Sequence, residues 1–337
     1  MELGMRIIMD GLGGDNAPDE MLEGARLAVK EYGVEILITG EKEKLRAVAY
    51  EKSVPLDGIE ILEADGALTM DDAPTEVLRG KKNCSMAVGL RALAEGRGDA
   101  FVSAGNTGAM VVGSRSIIGC VDGLRRPALA PILPHTTGCF MLLDGGANVE
   151  CRPEMLLQFG HMGAIYMEKI LSIQSPRVGL ANIGAEEHKG TQLAQDAYAL
   201  LKNSSLRFVG NVEGRDIPFG ACDVLVADGF TGNIILKLME GMGLFMGQTI
   251  KGMFTRNMLT MGAALVLKPA LEGFKKKMDY TEYGGAPLMG LKKPVIKAHG
   301  SSNAHAFQNA VRQAVAFVKE DVIAEIEGTR PQASSAG

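Results

Sequence analysis

Two stretches of this chain share one design, an apolar run that ends in a glycine turn and opens a helix. In Val226-Ala-Asp-Gly-Phe-Thr-Gly-Asn233 the turn carries Asp228, Thr231 and Gly232, and Asn233 falls in the first turn of the helix. In Ala100-Phe-Val-Ser-Ala-Gly-Asn-Thr-Gly108 it carries Ser103, Gly105, Asn106 and Thr107. Glycine lets the backbone come close to a ligand, and the first N–H groups of a helix have no internal partners. Such a turn favours an anion, above all phosphate. The Asn233 amide can donate to a developing oxyanion beside those N–H groups, or it can cap the helix.

Three further loops fit the same chemistry. Asp10-Gly-Leu-Gly-Gly-Asp-Asn-Ala-Pro18 leaves the first strand, and Asp10, Gly13, Gly14 and Asp15 either face a ligand or form a tight turn with a helix cap. It is not a dinucleotide fingerprint, because Thr39-Gly40 stands where a ribose-binding acid would end the second strand. Asn182-Ile-Gly-Ala-Glu-Glu-His-Lys-Gly190 contains Asn182, Gly184 and Lys189. Lys189 precedes a helix beginning at Thr191, where the dipole disfavours a cation, so it makes sense beside a bound anion. Glu186 or Glu187 either orients it or faces water. In His299-Gly-Ser-Ser-Asn-Ala304, Ser301 and Ser302 cap a helix or bind phosphate oxygens, and His299 is a polar contact or a core histidine. The remaining histidines show no metal spacing, so no metal is expected.

These residues must be placed by alternating strands and helices. Strands are expected at Arg6–Asp10, Glu35–Thr39, Ile59–Leu62, Asp99–Ser103, Ala128–Leu133, Cys139–Leu143, Arg177–Ala181, Arg207–Gly210 and Asp223–Ala227. Helices are expected at Pro18–Tyr32, Glu41–Lys52, Pro74–Glu95, Pro153–Ile173, Thr191–Leu201 and Thr231–Ile250. The alternation predicts an α/β, three-layer αβα fold with a mostly parallel, doubly wound sheet, whose ligands bind beyond the carboxyl ends of the strands. Residues 1–328 read as a single catalytic unit, with room for two subdomains around a cleft, and 329–337 as a frayed tail.

A net charge of −5 argues against nucleic-acid binding. Five scattered cysteines argue against a disulfide framework and for a reducing cytosol. The N-terminus enters a strand at once, without a signal-peptide layout, and no stretch of about 18 uncharged apolar residues is present. Within a helical segment at 251–279, Phe254, Met258, Met261 and Leu265 fall on one apolar stripe flanked by Arg256, Lys275 and Lys276. That stripe is either a core or dimer face, or a contact for an anionic bilayer or an acidic protein.

Together these stretches resemble the bacterial acyl-ACP:phosphate acyltransferases of phospholipid synthesis (the PlsX family). The likeness is carried by Asp10–Asp15, Ser103–Ala109, Asp144-Gly-Gly-Ala-Asn148, Asn182–Gly190, Gly210–Asp216, Asp228–Asn233, Glu282-Tyr-Gly-Gly-Ala-Pro287 and His299–Asn303, in order over residues 5–326. The chain departs from the family at Gly11-Leu12, Cys84-Ser85 and Ala185, none of which removes Lys189 or Asn233.

The resemblance implies a fold similar to the isocitrate and isopropylmalate dehydrogenases. It implies transfer of a long-chain acyl group from acyl carrier protein to inorganic phosphate, with no cofactor. Lys189 and Asn233 would be catalytic, and the strand-end residues, Asn148 included, would bind phosphate. It further implies a cytoplasmic homodimer peripherally associated with the membrane. The alternatives are a phosphotransacetylase-like enzyme using CoA and a dehydrogenase of related fold.

Overall fold

The computed structural model describes residues 4–278 and 284–328. The expected tail after Gly328, and Glu282 and Tyr283 of one motif, lie outside the described residues.

The chain opens with β1 (Arg6–Asp10), α1 (Asp19–Tyr32), β2 (Glu35–Gly40), α2 (Lys42–Glu51) and β3 (Ile59–Glu63). Next come α3 (Ser85–Ala94), β4 (Ala100–Ser103), α4 (Thr107–Ile117), β5 (Ala128–Leu129), β6 (Ile132–His135) and β7 (Gly138–Leu143). Then follow α5 (Pro153–Leu171), β8 (Val178–Asn182), α6 (Gln192–Lys202), β9 (Phe208–Glu213), β10 (Val224–Val226) and α7 (Gly229–Phe254). The last elements are α8 (Met258–Met278), β11 (Ala286–Met289), β12 (Val295–Lys297), α9 (Ala304–Lys319) and α10 (Val322–Gly328).

The strands form two sheets, one of seven strands in the order β3-β2-β1-β4-β12-β11-β5 and one of five in the order β6-β7-β10-β8-β9. Among the described strands β11, against both neighbours, and β6, against β7, pair antiparallel, and the other pairs are parallel. The expected α/β architecture with mostly parallel sheets is therefore present. Both faces of each sheet are covered, which is why the strands read as unbroken apolar runs. Ile7 and Met9 pack with Met21, Leu22 and Ala25 of α1 and Phe307 of α9. Ile8 points the other way, to Met86 and Leu90 of α3 and Met110 of α4. In the second sheet Leu143 and Val224 face Phe159 and Met162 of α5, and Leu142 and Leu225 face Leu236 of α7.

Four expectations are corrected. The helix expected over Pro74–Glu95 is a 3-10 turn at Pro74–Leu78 and then α3. Between them the Ser85 N–H donates to Gly66 O at 2.8 Å and Lys81 Nζ to Asp72 at 2.6 Å, so the intervening chain is drawn out of helical register. The strand expected at Ala128–Leu133 is broken at Pro131. β5 pairs with β11 in the first sheet and β6 with β7 in the second, so this run carries the chain from one sheet to the other. β11 and β12 were not anticipated, since each is short and proline stands within or just before it. The stripe expected from Phe254 to Leu265 is interrupted between α7 and α8. Asn257 caps α8 by accepting from Thr260 N–H at 2.9 Å, while Thr255 Oγ donates to Lys251 O at the end of α7.

A Cβ on Gly89 of α3 would run into the ring of the fully buried Phe101 on β4. Gly89→Ala is therefore expected to lower stability by about 1–3 kcal/mol, read as a lower urea midpoint with an unchanged slope.

Candidate active site

Parallel pairing brings the ends of three strands to one level. Lys297 is in register with Ser103 across β12 and β4, and Met9 with Val102 across β1 and β4, which sets Asp10 beside Ser103. All three side chains are buried. Ser103 Oγ donates to Asp10 at 2.7 Å and accepts from the Gly105 N–H at 3.0 Å. Burial pushes the Asp10 carboxyl up, and the Ser103 bond pulls it back. Lys297 Nζ donates to Ala104 O at 3.2 Å and to Ala298 O. Burial pushes its pKa down to about 8, against the pull of Asp10.

The loop after β1 lies over these strand ends. Gly14 has a φ of 108°, and a Cβ there would stand 2.9 Å from the Ala104 methyl and 3.1 Å from Gly300 O. The Asp15 N–H donates to Gly300 O at 2.8 Å, and Asn16 Nδ2 donates to Ser301 O and Ser302 O. A Cβ on Gly13 would overlap the Asp10 carboxylate. Asp10, Gly13, Gly14, Asp15, Ser103, Gly105, His299, Ser301 and Ser302 are thus one cluster. His299 Nδ1 accepts from the Ser301 N–H at 3.3 Å, so in the neutral ring, favoured by burial, the proton sits on Nε2.

A second cluster forms where β7 and β10 end. Both oxygens of the buried Asp144 act as acceptors, from the N–H groups of Leu129, Gly146, Ala147 and Asn148 and from Asn148 Nδ2. Asp228 caps α7, accepting from Thr231 N–H at 2.9 Å and Thr231 Oγ at 2.7 Å. The helix is seated so closely that a Cβ on Gly232 would collide with Asp144 O. Asn233 is exposed beside this junction, with one amide N–H directed to Gly145 O at 3.3 Å.

An open cleft of about 110 Å³ lies beside the first cluster, with α7 forming part of its wall. Its lining includes Thr107 at the start of α4, Pro131, Leu236, Lys237 and Glu240 of α7, and Lys297, His299 and Ser302. Asn233, Lys237 and Glu240 are spaced to share one face of α7, so Asn233 stands one turn above the lined wall. Lys189 is not among the lining residues. It is exposed in the loop after β8, where Asn182 Nδ2 donates to Lys189 O at 3.1 Å and a Cβ on Gly184 would touch its side chain. Glu187 pairs with Lys202 at 2.6 Å.

Several side chains expected at the ligand are engaged in building the loops. Asn106 caps α4 through Ala109 N–H and donates to Thr69 O. Asn148 donates to Pro127 O and to Asp144, and Asp228 and Thr231 bond each other. Lys297 escaped the sequence reading. Its signal was a lysine inside the apolar run Val295-Ile-Lys-Ala298 just before the His299 motif.

The family model described as "Fatty acid synthesis protein" matches residues 5–325. A phosphate acyltransferase from Alkaliphilus oremlandii is 48% identical over 322 residues, 96% of each chain. The chain belongs to this phosphate acyltransferase family. Among solved structures it is similar to a phosphotransacetylase from Streptococcus pyogenes, with a TM-score of 0.63, 18% identity and 96% and 95% of the two chains covered. It is also similar to a Salmonella typhimurium protein described as a 4-hydroxythreonine-4-phosphate dehydrogenase, with a TM-score of 0.50, 11% identity and 94% and 99% covered. These distant likenesses establish the shared fold, one that a dehydrogenase also adopts. The family places the chain in fatty acid and phospholipid synthesis as a phosphate acyltransferase.

The seating of α7 against Asp144 is a test of the site's construction. Gly232→Ala should cost about 3 kcal/mol of stability and depress turnover of the folded fraction, measured by thermal unfolding and initial rate.

Proposed function

We propose that the chain moves a long-chain acyl group from acyl carrier protein to inorganic phosphate, giving an acyl phosphate and the free carrier thiol. The observation that carries this reading is the cleft lined by the start of α4, by Leu236, Lys237 and Glu240 of α7, and by the loop before α9. Helix starts there favour a phosphate, and holding it beside a thioester carbonyl turns a bimolecular attack into an oriented one. The phosphate oxygen forms a bond to the carbonyl carbon, the carbonyl becomes an oxyanion, and its collapse expels the carrier thiolate. Phosphate is itself the nucleophile, so no acyl-enzyme is needed. We read residues 1–328 as one catalytic unit for this reaction.

In this reading Asn233 donates its second amide N–H to the oxyanion, and Lys189 supplies positive charge as the transition state forms. Lys189 would act from the exposed loop after β8. Asn233→Ala should lower kcat about 100-fold. Lys189→Ala should lower kcat about as much even at saturating phosphate. A rise in phosphate KM alone would make Lys189 a binding residue.

Phosphate-dependent release of thiol from palmitoyl-ACP, with palmitoyl-CoA run alongside, tests the substrate assignment. Release from the carrier substrate alone, with acyl phosphate trapped as its hydroxamate, is expected. Equal use of palmitoyl-CoA would favour the phosphotransacetylase-like alternative.

The apolar surface of α7 and α8 supports peripheral contact with an anionic membrane, or with a second copy of the chain in a homodimer. In α7 only Gly229, Gly232 and Leu236 are buried, while Leu238, Phe245, Met258, Met261 and Leu265 are exposed and Phe254 is half-buried. Among the described residues no helix is long and apolar enough to cross a membrane. Arg256 and the α8 positions Lys275 and Lys276 would add attraction to anionic lipid or to the acidic carrier. A combined Met258→Glu, Met261→Glu and Leu265→Glu variant should lose co-sedimentation with anionic vesicles while remaining folded. Unchanged sedimentation would remove this segment as the docking surface.

A further inference from the structure

The cleft has two lysines on its walls, and they differ in how their charge is met. Lys237 on α7 is more than half exposed and bonds Glu240 at 2.7 Å. Lys297 is 8% exposed, and among the described residues no carboxylate forms a direct ion pair with it. Two carbonyls, Ala104 O and Ala298 O, accept from its Nζ, and an ammonium has three donors. Its neighbour Asp10 already accepts from Ser103 Oγ and the Leu12 N–H. A desolvated cation without a direct counter-ion is costly, and an anion arriving in the cleft would relieve that cost. Thr107, the first residue of α4, lines the same cleft, so the positive end of an eleven-residue helix adds to the field.

We propose that Lys297 is the phosphate-anchoring cation of this cleft, gripping inorganic phosphate on the wall opposite α7 while Asp10 and Ser103 brace the strand ends beneath it. This deepens the acyl-transfer reading and rests on it for the identity of the anion. In that reaction Lys297 binds the nucleophile, whereas Asn233 and Lys189 act on the charge that develops during attack. The division of labour places the binding cation on the seven-stranded sheet and the catalytic groups on the five-stranded one.

The charged and titratable groups facing Lys297 are Asp10 on β1, Asp15 in the following loop, Lys237 and Glu240 on α7, and His299 beyond β12. Asp10, Asp15 and Glu240 favour the ammonium, while burial, Lys237 and a protonated His299 oppose it. With its pKa pushed down to about 8, Lys297 loses its charge as pH rises through that value. The grip on phosphate should weaken over the same range.

The test uses the full chain and the variants Lys297→Met and Lys297→Arg, with inorganic phosphate varied at saturating palmitoyl-ACP. Lys297→Met is expected to raise phosphate KM about 10- to 100-fold with kcat changed only a few-fold. Wild-type phosphate KM should climb above about pH 8, and Lys297→Arg, which stays charged, should flatten that climb. In parallel, the phosphate-induced rise in melting temperature, compared with the rise in sulfate, should shrink in Lys297→Met. A folded Lys297→Met protein with unchanged phosphate KM and an unchanged phosphate-specific shift would overturn the proposal. If that variant fails to fold, a Lys297→Arg KM that climbs as in wild type overturns it. If wild type shows no phosphate-dependent acyl release, the acyl-transfer reading falls. The melting comparison then decides Lys297 alone, upholding the site where the phosphate-specific shift depends on the lysine and overturning it where it does not.

Discussion

The structure depends on three parallel strands ending at the same level with Asp10, Ser103 and Lys297 side by side. Those residues bring an acid, a hydroxyl and an ammonium into a place where water is scarce. Each must be answered by hydrogen bonds or charge, and the surrounding backbone is arranged to do so. The Gly105 N–H turns back to Ser103, the carbonyls of Ala104 and Ala298 turn to Lys297, and the loop after β1 closes over Asp10. The glycines of that loop follow from this crowding. Gly13 lies against the Asp10 carboxylate and Gly14 against Ala104, so larger residues would lift the loop off the strand ends.

The second half of the cleft is joined to the first by the run from Ala128 to His135. One short strand belongs to the seven-stranded sheet and the next to the five-stranded sheet. Asp144 ties this crossing to the α7 end of the site, because it accepts from the Leu129 N–H while holding the Gly146–Asn148 turn against which α7 is seated. A substitution at this junction would therefore be felt both in the packing of the sheets and in the position of Asn233.

Much of this was legible in the sequence, because buried parallel strands leave unbroken apolar runs and strand-to-helix turns leave glycine, asparagine and aspartate. The glycine turns at Gly105 and Gly232 are where close approach was expected. What stayed hidden was tertiary. Nothing local in Val295-Ile-Lys297 says that this short run pairs with β4 rather than forming a loop, so the lysine beside Ser103 could not be placed. Ala128–Leu133 reads as one strand across Pro131, and nothing local says that its two sides serve different sheets. Asn106, Asn148 and Asp228 carry the same side-chain chemistry whether they meet a ligand or a neighbouring protein group, and only the fold shows these bonds to their neighbours. The Phe254–Leu265 stripe matched helical spacing, yet the cap at Asn257 resets the register within it.

In the proposed reaction the cleft between the two sheets holds phosphate for attack on a thioester. A crystal structure of the protein grown or soaked in saturating inorganic phosphate tests it most directly. Tetrahedral density is expected in the cleft, within hydrogen-bonding reach of Lys297 and the start of α4 and on the side facing Asn233. An ordered cleft without phosphate at that concentration, or phosphate bound only elsewhere on the protein, would contradict it.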